Sequence, residues 1–272
     1  SNPMLMTRWL GSGVMIRLAL AVVLIRMVLS EQSTGAVGFM QMLNMSYQQM
    51  HTLYVVMLAG AIAGLVVSAL TINPAHLLMP LIISLALMAT GSVMDSFSSN
   101  LTRPQNLYIS QFLLGFGGTF FLGPTMVLGT KNVLTNPRNL VSFSVMFGIC
   151  QNLGGLIGAA LLGTFQIVRE KYHSSMIVEH LTLIDPLVAA RVQSGGAAYG
   201  KIVADPELRN LMGIRSLATA ATREANVMAY NDVFMLIAII AILTMLWIFT
   251  RSLWLMSTTK ATPPVQPSGA TS

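Results

Sequence analysis

Charge is what this sequence has least of. Only 9% of its 272 residues are Asp, Glu, Lys or Arg, where an ordinary soluble domain carries about 25%. With 54% hydrophobic residues and a mean hydropathy of +0.70, the chain cannot clothe itself in a water-facing surface, and an integral membrane protein is expected. Cysteine is nearly missing too. A single residue, Cys150, rules out an internal disulfide framework, and its apolar surroundings predict a buried, inert thiol. The four histidines are His51, His76, His173 and His180. None stands with Cys or carboxylates at a ligand spacing, so no metal site is expected. There is no G-x-S-x-G elbow, no P-loop and no H-E-x-x-H, so the chain is expected not to be an enzyme and to hold no cofactor. The net charge of +6 comes without a basic cluster interleaved with aromatics, which excludes nucleic acid as a partner.

What is present is apolar sequence of lipid length. Six stretches suffice for about 30 Å of hydrocarbon: Val14–Met40, Thr52–Leu70, Leu77–Met94, Leu107–Gly129, Leu140–Val168 and Val233–Leu253. The lipid bilayer is thus the first partner. Arg8, Arg17, Lys131, Arg138, Arg251 and Lys260 fall on the side of the chain ends, against Arg103 alone in the opposite short loops. The positive-inside rule places both termini in the cytoplasm. The chain divides into a cytoplasmic lead-in (1–13), five spans (14–168), an extracytoplasmic helical loop (169–231), a sixth span (232–254) and a disordered tail (255–272). Within the loop, Asp185-Pro186 and Asp205-Pro206-Glu207 read as helix starts, with Asp as cap and Pro in the first helical position. A helical hairpin is expected there.

Polar residues inside the spans carry the functional expectation. The first span contains Arg26, Glu31 and Gln32, and a charge at a helix centre costs roughly 2.5–3.5 kcal/mol on insertion scales. Arg26 and Glu31 are five positions apart, about 140° around the axis, so they are not an i,i+4 pair. Their partners must come from other helices or from water. One reading has both side chains lining a wet cavity. The other has Glu31 marking the end of the span and Arg26 snorkelling toward a headgroup. Gln151 and Asn152 fall mid-span beside a glycine-rich face, where they can line a pathway or bond a neighbouring helix. Gly154 and Gly158, followed by Gly163, have the small-xxx-small spacing of helix packing. Gly60 and Gly64 share that spacing, which the general abundance of glycine in membrane helices also explains. Gly123-Pro124 predicts a kink in the fourth span.

Several runs resemble a known family: NPMLMTRWL before the first span, SEQSTGAVG within it, LTRPQNLYISQFLLGFGGTFFLGP, FGICQNLGGLIGAALLGTFQIVREKYH and REANVMAYNDVF. Together, from about Asn2 to Arg251, they are similar to the fourteen-helix drug:proton antiporters of the major facilitator superfamily. The resemblance implies an all-α fold of six transmembrane helices forming the C-terminal half of that transporter. An opening on Ser-Asn-Pro rather than Met fits a fragment lacking the N-terminal half. It implies proton-coupled efflux of small amphipathic toxic compounds by alternating access, in a bacterial inner membrane, with a periplasmic adaptor protein as a further partner. Under this reading Glu31 is the proton-responsive carboxylate, Arg26 balances it or binds an anionic substrate, and Gln32, Gln151 and Asn152 line the pathway. The basic loop the family carries between its second and third spans is replaced here by TINPAH. The rival expectation is a non-transporting membrane sensor or assembly subunit that uses the outer hairpin to bind partners.

Overall fold

Every regular element among the described residues of the computed structural model (7–73, 77–131, 139–181 and 185–260) is helical. Six of the helices are long and apolar enough to cross a membrane. The first four are Gly13–Met42, His51–Thr71, Leu78–Asp95 and Pro104–Thr130. The fifth and sixth belong to the much longer helices Asn139–His180 and Pro206–Lys260. A multi-pass membrane protein follows from these six. The disordered tail expected from residue 255 does not begin there, since the last helix runs on to Lys260; 261–272 lie outside the described residues.

Two long helices correct the expected loop. Hydropathy falls at Arg169 and rises again near Val233, which suggested spans ending and beginning there. The fifth helix instead continues to His180, and the sixth is already helical at Pro206. No Gly or Pro interrupts 169–180, and Gly213 is the single breaker between Pro206 and Leu253, so nothing stops either helix where the lipid ends. At 1.5 Å per residue the two are about 63 and 82 Å long, against about 30 Å of hydrocarbon. The excess forms a helical arm on the side away from the chain ends. The helix Pro186–Ala197 completes it, Asp185 accepting from the Leu187 N–H at 2.8 Å. Asp205 caps the last helix in the same way, accepting from the Glu207 N–H at 2.9 Å. These are the two contacts that the Asp-Pro pairs predict.

Where the arm leaves the bundle, the fifth and sixth helices are fastened by charge. Arg169 Nε donates to Asp232 Oδ2 at 2.6 Å, and His173 Nε2 lies 2.6 Å from the same oxygen. The Arg169 guanidinium also sits 4.7 Å above the Tyr172 ring. Asp232 and His173 are thus partners across two helices. Gln166, one turn before Arg169 on the fifth helix, donates to Asn226 of the sixth at 2.9 Å.

Glycine decides how the spans meet. A Cβ at Gly60 or Gly64 would overlap the carbonyls of Phe112 and Phe116, and one at Gly115 the carbonyl of Met57. The second and fourth spans are therefore in backbone contact, reinforced by the Thr119 hydroxyl donating to the Ala61 carbonyl at 2.6 Å. On the fifth span, Gly154 faces the Val23 backbone and Gly158 faces Met27 and Ser30 of the first. Gly163, counted in the same run, has nothing within 4 Å of an added Cβ, so it takes no part in that contact.

The fourth span is interrupted. Tyr108–Phe120 ends in a turn at Phe121, and the helix resumes at Leu122–Lys131. Pro124 has no N–H to offer the Phe120 carbonyl four residues back. Ser68 of the second span replaces that donor, its hydroxyl lying 2.9 Å from the Phe120 carbonyl oxygen. Gly123 leaves the room, because a Cβ there would overlap the Ser68 hydroxyl. The break is thus satisfied by a neighbouring helix, the usual way a proline is carried in lipid.

Gly64→Leu should force the second and fourth spans apart and lower stability by about 1–3 kcal/mol. Gly163→Leu, into open space, should shift it by no more than about 0.5 kcal/mol. Unfolding in mixed micelles compares the two directly.

Candidate functional site

A π-helical turn opens the site. Glu31–Ala36 departs from α-helical geometry within the first span, and such wide turns gather at functional positions. Its first residue, Glu31, has no exposed surface at all. A carboxyl so placed needs hydrogen-bond donors. Gln111 of the fourth span supplies them: its Nε2 lies 3.1 and 3.0 Å from the two Glu31 oxygens. The same nitrogen lies 2.7 Å from Oδ2 of Asp95, the last residue of the third span. One amide hydrogen is shared by the two Glu31 oxygens while the other points at Asp95. Three helices are joined through one side-chain nitrogen.

The two acids therefore converge on one donor, Glu31 from the first span and Asp95 from the third. Ser110, beside Gln111 on the same helix, donates its hydroxyl to the Leu107 carbonyl at 2.9 Å. Gln32, the second residue of the π turn, donates to the Gln111 backbone carbonyl at 3.2 Å. Gln111 is held from both sides by one turn of the first span. Its own Oε1 is buried and faces no donor, and Ser92 Oγ, one turn before Asp95, has no partner either. The cluster therefore keeps unused acceptor capacity, which a buried site rarely leaves idle.

Apolar surface seals the cluster above and below. On the first span Val28 belongs to the long inner core and Ala36 to a smaller outer one, with Glu31 between them. On the fourth span Leu114 and Leu107 are divided in the same way, with Gln111 between. The carboxyl pair thus occupies a polar seam between two hydrophobic blocks. Phe234 of the sixth span closes it, its ring 3.0 Å from where a Gly35 Cβ would stand. Phe39 packs on Phe234 edge-on at 6.0 Å and on Tyr230 at 5.5 Å.

Family models, curated proteins and solved structures were all compared with this chain. None matches. What the site can do must therefore be argued from its own chemistry.

The residues singled out in the sequence fall in different places. Glu31 and Gln32 are both in the cluster. Arg26 is not: it is exposed, and its side chain lies along the fifth span beside Gly154 and Gly155. The pairing of Arg26 with Glu31 is not made, because the two leave opposite sides of the helix and Glu31 is fully enclosed. Nor does Glu31 border open water. Gln151 is half-buried, Asn152 is exposed and donates back to the Gly148 carbonyl at 3.0 Å, and neither joins the cluster. Asp95 was overlooked because it stands immediately after the expected end of the third span, where a carboxylate reads as a boundary residue. Gln111 is the one amide side chain within Tyr108–Phe120. Its signal was its depth in Tyr108–Phe120, on the face carrying Ser110, Leu114 and Gly118.

Replacing Gln111 by Leu should strand two buried carboxyls and destabilise the fold by about 3 kcal/mol or more. Ser92→Ala removes a hydroxyl that bonds nothing and should change stability by less than about 0.5 kcal/mol. Denaturant unfolding of the two variants reads the difference.

Proposed function

We propose that the protein is a proton-coupled secondary transporter and that this six-span bundle is one half of it, working by alternating access against a second bundle. One observation carries the reading: two carboxyl groups share a fully enclosed hydrogen-bonded cluster where the first, third and fourth spans meet. Ionisable groups buried inside a membrane bundle are expensive and mark ion or proton pathways. The resemblance of the loops and spans to major facilitator drug:proton antiporters points the same way. The cargo is a small amphipathic organic compound, expelled across a bacterial inner membrane, with both chain ends in the cytoplasm. The helical arm would then stand in the periplasm, where it is available to an adaptor protein.

The mechanism follows from the cluster. With one proton on the pair, Glu31 and Asp95 both rest on Gln111, and the seam stays closed by Phe234. Loss of that proton leaves two negative charges facing one amide. Like charges in a poorly solvated interior repel strongly. Water entering the seam relieves the repulsion, so the deprotonated state favours an arrangement in which the first, third and fourth spans part. The π turn is where the first span can give, because its hydrogen bonds are already widened. Proton binding and helix separation are thereby linked, and linkage of this kind is what coupling requires. Transport itself needs two bundles rocking about a shared site.

The test is substrate-driven proton movement in proteoliposomes containing the complete transporter, followed with an entrapped pH dye. Glu31→Gln and Asp95→Asn should each reduce coupled proton flux at least about tenfold while the protein still inserts and folds. Glu179→Gln, on the exposed arm, should leave it intact. Coupling that survives both cluster substitutions would remove the carboxyl pair from the mechanism, and a parent protein with no substrate-driven proton movement would favour the rival reading, in which the arm serves a sensor or assembly subunit.

A further inference from the structure

Outside the spans, the arm borders an open cavity of about 480 Å³ between the helix Pro186–Ala197 and the outer part of the last helix. Arg191 enters it from the former, Arg215 and Arg223 from the latter, with Tyr199 and Ser216 beside them. Three guanidiniums at one cavity are uncommon in a chain with so little charge. Among the described residues none of the three makes a hydrogen bond or an ion pair, and the nearest acid, Glu224, accepts from Asn100 of the loop after the third span. The lining carries a surplus of positive charge with no internal use.

The cavity is held in shape by backbone contact rather than by its charges. A Cβ at Gly196 would overlap the Arg209 carbonyl, and one at Gly213 the Val192 carbonyl. The two helices are locked together without help from the arginines. A second cavity of about 410 Å³ opens along the same helix pair, bordered by Arg209, whose Nε is buried with no acceptor. Both hollows present guanidinium donors that lack acceptors.

We propose that the arginine-lined cavity binds a soluble multivalent anion, carrying phosphate or carboxylate groups. Guanidinium forks match those groups bidentately, and the volume lies in the range of small-molecule sites. Arg215 and Arg223 are two helical turns apart on one face, about 12 Å along the axis, which suits an anion with more than one charged group. A lipid headgroup carries the same chemistry, but the distances disfavour it. Arg223 precedes Val233 by ten residues, about 15 Å of helix, whereas the headgroup layer adds only about 5–7 Å to each face of the hydrocarbon. The site is separate from the carboxyl cluster and does not rest on the transport reading.

Calorimetric titration of inorganic pyrophosphate into the full chain in zwitterionic nanodiscs tests this. Saturable binding is expected, weakening steeply with salt. The double variant R215Q/R223Q should lose affinity about tenfold or more and R191Q severalfold, with helical content unchanged. R17Q, the same charge change at the other end of the bundle, should bind as the parent does. Absence of saturable heat at millimolar pyrophosphate, or equal affinity in R215Q/R223Q, would overturn the proposal. So would loss of pyrophosphate binding when anionic lipid is added to the nanodisc, which would assign the cavity to headgroups.

Discussion

One side-chain amide bears most of the tension in this bundle. The Gln111 nitrogen faces the Glu31 and Asp95 carboxyls at 2.7 to 3.1 Å, and it is the hydrogen-bond donor at the centre of the seam. Burying two acids together is unfavourable unless they are paired, bonded or partly neutralised. Here the remedy is a shared donor, the one amide bonding both acids. The features around the cluster serve it. The π turn aims Glu31 and Gln32 at the same neighbour, Gly115 lets the fourth span approach the second, and Gly35 admits the Phe234 ring as a cover. A polar seam set between two apolar cores is also a plane along which helices can separate without unpacking either core. That mechanical property is what the proposed coupling uses.

The same economy governs the rest of the bundle. Helices in lipid gain little from apolar contact with one another, since the surrounding chains are as apolar as leucine, and close backbone approach and hydrogen bonds must hold them. The second and fourth spans meet through Gly60, Gly64 and Thr119, and the first and fifth through Gly154 and Gly158. The proline break at Phe121 is mended by Ser68. At the exit from the apolar region the means change, and Asp232 ties Arg169 and His173 together. Beyond that point the arm is built from glycine contacts again, which leaves its arginines free for other work.

Some of this was open to sequence reasoning and some was not. The capping contacts at Asp185 and Asp205 are local, and the Asp-Pro pairs announce them. The helix lengths are different. Hydropathy reports where lipid ends, and a helix ends only where its own hydrogen bonding is broken, so the fifth and sixth helices outran their apolar segments. Gly163 shows the limit of counting glycines: it comes five residues after Gly158, about 140° around the helix, and so faces open space. Glu31 could be singled out by its cost in lipid. Its partners could not, since Asp95 and Gln111 lie 64 and 80 positions away and each looks ordinary in its own surroundings.

By itself, then, the sequence determined the solvent of this protein and the number of its crossings: apolar length and scarcity of charge are sums over neighbouring residues, and lipid responds to those sums. It also marked the first span as the one carrying an acid that had to be accommodated. Only the tertiary structure decided that the accommodation is a second acid and an amide rather than Arg26. That choice depends on how three helices are rotated about their axes, which is set by glycine contacts between distant segments. No local pattern encodes such a rotation.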